Sequence, residues 1–190
     1  MSSFQLRTPE TADDLAQPVL QTFKKQYGTI PNFYAGLAID GATLCGYLSF
    51  EQHIEAHCLL TPEQREMISL AVANHNGCQY CVSGHTFSAK KMGFDQSACA
   101  DIQQGIAQSP TDQLVLDVAL EALRNQGRLS AETLNKCREA HFSDAMLLQI
   151  YAWVGINTFS NWINNLVEPK IDFPLVPLQN ISSDHPRRDT

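Results

Sequence analysis

Positive charge is scarce in this 190-residue sequence: 13 Lys and Arg stand against 20 Asp and Glu, for a formal charge of −7. Such a chain repels phosphate backbones and anionic headgroups, so neither nucleic acid nor a membrane is an expected partner. Glycine and proline are also few, 10 and 9 residues, which excludes collagen-like and low-complexity chains. An apolar fraction of 44% with only 17% charged residues excludes a disordered one. No internal repeat is visible, so solenoids and propellers drop out. The start, Met1 to Gln17, lacks a basic segment followed by an apolar one; no signal or transit peptide is expected, and the cytoplasm is the expected compartment.

Alternating apolar and polar runs bounded by hairpin turns are missing as well, whereas helical spacing recurs along the whole chain. The expected fold class is all-α: a single-domain, multi-helix bundle. Helices are predicted over Thr11–Tyr27, Phe33–Ile39, Ala42–Cys58, Glu63–Asn74, Cys78–Met92, Gln96–Gln104, Thr111–Asn125, Ala131–Ala140 and Asp144–Val167. Pro18 marks a first turn or a kink. Thr61 followed by Pro62, Ser130 and Ser143 read as N-caps, and Gly28 and Gly93 as stops. Residues 168–190, with Pro169, Pro174, Pro177 and Pro186, read as an extended tail that wraps a neighbouring subunit or is partly free.

Ala145 to Val167 carries no charge and is long enough to span a bilayer. Seven polar residues from Gln149 to Asn165 interrupt it, each costly in hydrocarbon. Leu147, Ile150, Tyr151, Val154, Trp162 and Leu166 keep an apolar stripe, so the segment reads as a buried or subunit-facing helix. Trp153, Trp162 and Phe159 read as core or interface aromatics.

Six cysteines stand at 45, 58, 78, 81, 99 and 137, and only Cys78 and Cys81 are close. In a reducing compartment a tight pair points to redox chemistry, catalysis or metal binding before it points to a structural staple. Cys78, Cys81 and His85 fall at i, i+3 and i+7 and so share one helix face. Glu66, on the preceding helix, can be carried alongside by antiparallel packing across the Asn76-Gly77 turn. Unpaired N–H groups at a helix start and a neighbouring histidine both favour a thiolate, the species that attacks peroxides and disulfides. A histidine oriented by a carboxylate suits the proton transfers such chemistry needs.

The spacing of Glu66, eleven residues, Cys78-x-x-Cys81, three residues, His85 resembles the peroxidase branch of the alkylhydroperoxidase D-like, or carboxymuconolactone decarboxylase-like, superfamily. The resemblance also takes in Gly28-Thr-Ile-Pro31-Asn32 and Leu60-Thr61-Pro62, and extends from about residue 10 to about residue 167. It implies a helical domain over residues 1–167 that assembles into trimers or hexamers and reduces hydrogen peroxide or organic hydroperoxides without a cofactor or metal. Cys81 would then be the peroxidatic thiol, and Cys78 the resolving, more exposed one that closes a disulfide with it. His85 and Glu66 would relay protons, and a lipoyl-type, thioredoxin-like or glutaredoxin-like dithiol donor would regenerate the pair. Tyr80 departs from the pattern, because well-characterised members carry a second histidine there.

Competing readings are a thiol–disulfide adaptor, a lyase of the decarboxylase kind, and a zinc-stabilised interaction module using Cys78, Cys81, His85 and His75. Glu66 could also be an ordinary helix-start charge. His53 and His57, at i and i+4, read as solvated or capping residues. Cys45, Cys58, Cys99 and Cys137 read as inert thiols.

Overall fold

The computed structural model describes residues 4–180, all helix and connecting segments with no strand among them. The elements are α1 (Ala16–Tyr27), α2 (Asn32–Leu37), α3 (Gly41–Ala56), α4 (Pro62–His75), α5 (Gln79–Lys91), α6 (Gln96–Gln103), α7 (Pro110–Arg124), α8 (Ala131–Glu139) and α9 (Asp144–Val167). The all-α expectation holds, and most boundaries fall within a residue or two of those read from sequence. Local chemistry explains why. Thr61 and Gln64 form a reciprocal capping box at the start of α4, with Pro62 in its first turn. Asp40, Asp95, Ser109, Ser130 and Ser143 each accept the N–H three residues on, at the starts of α3, α6, α7, α8 and α9. Each such cap contributes about 1 kcal/mol.

The first helix begins at Ala16, five residues later than the spacing predicts. Thr8 to Ala12 form a separate turn, and the Asp13 carboxylate receives the N–H groups of Leu15, Ala16 and Gly41. Asp13 thereby ties the start of α1 to that of α3, and Pro18 sits in the first turn of α1.

α4 is the centre of the fold. Met67 through Asn74 are buried without interruption, because α5, α6, α7 and α9 surround it. One apolar cluster joins α4, α5, α6 and α7, a second joins α4, α7, α8 and α9, and a third lies among α1, α2 and α3.

The final helix corrects the expected stripe. Ile150, Trp153, Val154 and Ile156 are buried, but so are Asn157, Ser160, Asn161 and Asn164, while Trp162 and Leu166 are 63% and 59% exposed. The inversion in the second half has a hydrogen-bonding cause: Asn161 and Asn164 turn inward to partners on the α4–α5 turn and on Cys81. Among the described residues no helix is long and apolar enough to cross a membrane.

Residues 168–180 lie along the chain's own surface; the rest of the tail assigned to 168–190, like Met1 to Ser3 of the start, falls outside the described residues. The Val176 N–H donates to Ser83 Oγ, Gln79 Nε2 donates to the Val176 carbonyl, and Gln179 exchanges two hydrogen bonds with Asn74. Ile171, Phe173, Val176 and Leu178 add apolar contacts to the α4–α7 cluster.

Candidate active site

The site is built on the turn between α4 and α5. Gly77 takes φ +65°, a left-handed conformation that glycine adopts without a Cβ penalty, and the chain reverses there into Cys78, the N-cap of α5. The turn is clamped from α9: Asn76 Nδ2 donates to Asn161 Oδ1 at 2.9 Å, and Asn165 Nδ2 donates to the Asn76 carbonyl at 3.0 Å. The predicted helix–turn–helix is therefore fixed by a third helix far away in sequence.

Cys78 and Cys81 are joined as a disulfide, with Cα atoms 5.3 Å apart. The Cys81 N–H points to Cys78 Sγ at 3.3 Å, and Asn164 Nδ2 donates to Cys81 Sγ at 3.2 Å. An amide donor and the positive end of a helix both stabilise negative charge on sulfur once the bond is reduced. Exposure reverses the expected order: Cys78 is 0% exposed and Cys81 6%. As N-cap, Cys78 turns its sulfur inward to the first turn of α5, whereas Cys81 lines a cavity.

His85, one turn after Cys81, lines the same cavity. Its Nδ1–H donates to Glu66 Oε1 at 2.9 Å, since an ionised carboxylate can only accept. That leaves Nε2 for the cavity. Burial disfavours the imidazolium, but the Glu66 charge and hydrogen bond, with a contribution from Glu51, outweigh it and hold the His85 pKa above the usual histidine value. Glu66 does not line the cavity and acts on the imidazole from behind.

Glu51 of α3 is a second carboxylate, and it does line the cavity. Tyr47 Oη–H donates to its Oε1 at 2.8 Å, four residues back on the same helix. Burial and the nearby Glu55 raise the Glu51 pKa, while the Tyr47 hydrogen bond and His85 oppose the shift. In the sequence Glu51 falls within the helix predicted over Ala42–Cys58, and its one local signal is a carboxylate among apolar positions at helical spacing.

The cavity measures about 210 Å³. Five aromatic rings line it, from Phe33, Tyr34, Tyr47, Tyr80 and Phe173, and no Lys or Arg does so. Tyr80, in place of the expected histidine, donates its hydroxyl proton to Asp172 at 2.9 Å and accepts the Phe33 N–H at 3.1 Å. Asp172 also receives the N–H and the side-chain amide of Asn32. Tyr80 thus closes the cavity by holding the tail, and burial keeps its hydroxyl pKa well above the usual range. Phe173 lies over Gly84 so closely that a Cβ there would come within 3.1 Å of the ring.

The other cysteines lie apart from this site. Cys99 and Cys137 are buried, and burial pushes both thiols up; Cys45 and Cys58 are partly exposed. His53 and His57 stack edge to face at 5.3 Å, and His57 ends α3. Trp153 is a core residue whose indole N–H donates to the Arg65 carbonyl and Ser69 Oγ. Among the described residues no group of three or more His, Cys, Asp or Glu is placed to hold a metal ion.

Residues 44–109, which contain Glu66, Cys78, Cys81 and His85, match the carboxymuconolactone decarboxylase family. No curated protein matches the chain in sequence. Among solved structures, a peroxidase-related protein with an alkylhydroperoxidase D core from Ralstonia eutropha superposes with a TM-score of 0.80 at 19% identity, covering 90% of this chain and 92% of that one. A peroxidase-related protein from Silicibacter gives 0.75 at 17% identity, over 88% and 90%. The debrominase Bmp8, as a cysteine-to-alanine variant in complex with 2,3,4-tribromopyrrole, gives 0.67 at 20% identity, over 90% and 94%. At such identities these structures establish a common fold. Residues 44–109 are thus similar to the carboxymuconolactone decarboxylase family, and the chain as a whole has the alkylhydroperoxidase D-like fold.

Proposed function

We propose that this protein is a cysteine-based peroxidase that reduces hydroperoxides through a Cys78–Cys81 dithiol/disulfide cycle. One observation carries the proposal: Cys81, bonded to Cys78 and held by the Asn164 amide, opens on the same cavity as His85, which Glu66 orients from behind. In the reduced protein the Cys81 thiolate attacks the terminal peroxide oxygen. The O–O bond breaks, leaving a sulfenic acid on Cys81 and an alkoxide that takes a proton from the His85 imidazolium. The Cys78 thiolate then displaces hydroxide, which leaves as water, so one hydroperoxide and two thiols give one alcohol, one water and one disulfide. A dithiol donor of lipoyl, thioredoxin-like or glutaredoxin-like type returns the pair to thiols. The protein works as a trimer or hexamer in the cytoplasm, with the exposed Trp162 and Leu166 of α9 supplying apolar surface for self-association.

Two competing activities fit the site less well. A thiol–disulfide adaptor needs no cavity with a proton donor beside its sulfur, whereas Cys81 and His85 line one together here. A lyase acting on a carboxylated lactone needs a counter-charge for its substrate, and the cavity offers no Lys or Arg.

The test is mass spectrometry of reduced protein after one equivalent of an organic hydroperoxide, with free thiols trapped. A loss of two hydrogens on the peptide holding Cys78 and Cys81, reversed by a dithiol and absent in Cys81→Ser, is the expected result. Unreacted thiols at this pair would overturn the proposal.

A further inference from the structure

The cavity has a composition of its own that the peroxidase cycle does not explain. Attack on a peroxide requires a thiolate and a proton source; it does not require five aromatic rings around them. These rings are held by one another. Phe33 meets Tyr47 edge to face at 5.4 Å and 89°, Phe33 lies 5.0 Å from Tyr34, and Tyr80 meets Phe173 at 5.7 Å and 78°. The hydroxyls of Tyr47 and Tyr80 are committed to Glu51 and Asp172, so both residues have their hydroxyl protons engaged within the protein. What these two residues, like Phe33 and Phe173, present to a ligand is hydrocarbon ring surface, which attracts another ring edge to face or offset.

Size and charge narrow the ligand further. A volume of about 210 Å³ lies below the roughly 300–1,000 Å³ of pockets that take drug-sized molecules. It fits one ring with a short substituent, is too small for a long acyl chain, and would leave hydrogen peroxide loosely surrounded. An anionic group entering it would meet the Glu51 carboxylate and no Lys or Arg; the His85 imidazolium, its one available cation, is already paired with Glu66. A buried charge without a counter-charge is costly, so the cavity disfavours carboxylates. Glu51 supplies instead an acceptor for a neutral O–H, its second oxygen being outside the Tyr47 hydrogen bond.

Resting on the peroxidase reading, we infer that the preferred substrate is a small, uncharged hydroperoxide whose organic part is a single aromatic ring, seated among Phe33, Tyr34, Tyr47, Tyr80 and Phe173 with its peroxy O–H toward Glu51. The ring raises the occupancy of the site, and the reacting atoms follow the cycle already given: the substrate leaves as the corresponding aryl-substituted alcohol, with one water and the disulfide.

The experiment compares second-order rates of Cys78–Cys81 oxidation in reduced wild-type protein with four probes. These are cumene hydroperoxide, tert-butyl hydroperoxide, hydrogen peroxide and a fatty-acid hydroperoxide above the pKa of its carboxyl. Cumene hydroperoxide is expected to react at least ten times faster than tert-butyl hydroperoxide and hydrogen peroxide, with the fatty-acid hydroperoxide slowest. In a second measurement, 2-phenyl-2-propanol should compete with hydrogen peroxide for the site while benzoate should not, and Glu51→Gln should narrow the disadvantage of the anionic probe. Equal rates across the four, or a fatty-acid hydroperoxide that outpaces cumene hydroperoxide, overturn the substrate assignment and leave the peroxidase cycle standing. If none of the four oxidises the pair, the cycle itself falls and the assignment with it.

Discussion

Cys81 and Cys137 are both buried cysteines on helices of the same bundle, yet they belong to different apolar clusters and their surroundings differ in kind. Cys137 sits in the cluster of α4, α7, α8 and α9, where burial pushes its thiol toward the neutral form and nothing nearby offsets that enough. Cys81 sits in the first turn of α5, with the Asn164 amide on its sulfur, Cys78 beside it and a cavity in front. Burial alone makes a thiol inert; burial combined with aimed N–H donors and a helix start is what prepares one for reaction. The polar side chains that α9 turns inward produce the difference, because they reach the cysteine turn and leave Cys137 in apolar company.

The largest expected effect comes from exchanging the two cysteines' fates. Cys81→Ser should abolish hydroperoxide-driven disulfide formation, while Cys137→Ser should leave its rate within about two-fold, as thiol counting after a peroxide pulse would read. Equal losses would erase the distinction between the two environments.

Glu66→Gln should come next. Gln can still accept the His85 Nδ1–H, but removing the charge takes away the largest support of the raised imidazole pKa, and the oxidation rate should fall by about 10²-fold, as for loss of general acid–base assistance. The pH dependence of stability sharpens this. A raised His85 pKa means that the folded state binds the proton more tightly than the unfolded one. The pair therefore stabilises the fold fully below the ordinary histidine value and loses that contribution as pH rises through the raised one. Thermal melts on either side of that window should show the slope in wild type, and Glu66→Gln should flatten it.

Asp172→Ala tests the wall that closes the cavity. It leaves the Asn32 N–H and the Tyr80 hydroxyl without their carboxylate, at a cost of about 1–3 kcal/mol measurable by urea unfolding. Loosening the tail should also reduce any preference for ring-bearing hydroperoxides. Asn164→Ala should have the smallest effect. Loss of one amide donor to Cys81 Sγ is worth about 1 kcal/mol, read as a several-fold slower oxidation with the fold intact.

Much of this organisation was legible in the sequence where the determinants are local. Thr61 with Pro62, Ser130 and Ser143 announce helix starts because a cap acts over three residues, and Glu66, Cys78, Cys81 and His85 declare themselves by spacing. Asn164, Glu51 and the Asp172 clamp did not, since each acts on partners 34 to 140 residues away that no periodicity encodes. α9 misled for a related reason. Asparagine normally marks a solvent face, and the hydrogen bonds that bring Asn161 and Asn164 inward belong to the α4–α5 turn and to Cys81. Exposure of the two site cysteines was inverted because N-cap geometry, which buries Cys78, follows from where α5 begins to the residue.

The most direct measurement uses a Cys78→Ser variant, in which a sulfenic acid cannot be resolved by its neighbour. After one equivalent of cumene hydroperoxide, a carbon nucleophile specific for sulfenic acids is added, and each cysteine-containing peptide is quantified by mass spectrometry. The expected adduct is on Cys81, with Cys137 unmodified; an unmodified Cys81, or an adduct on Cys137 of equal yield, would contradict the assignment of Cys81 as the thiol that the fold prepares for peroxide.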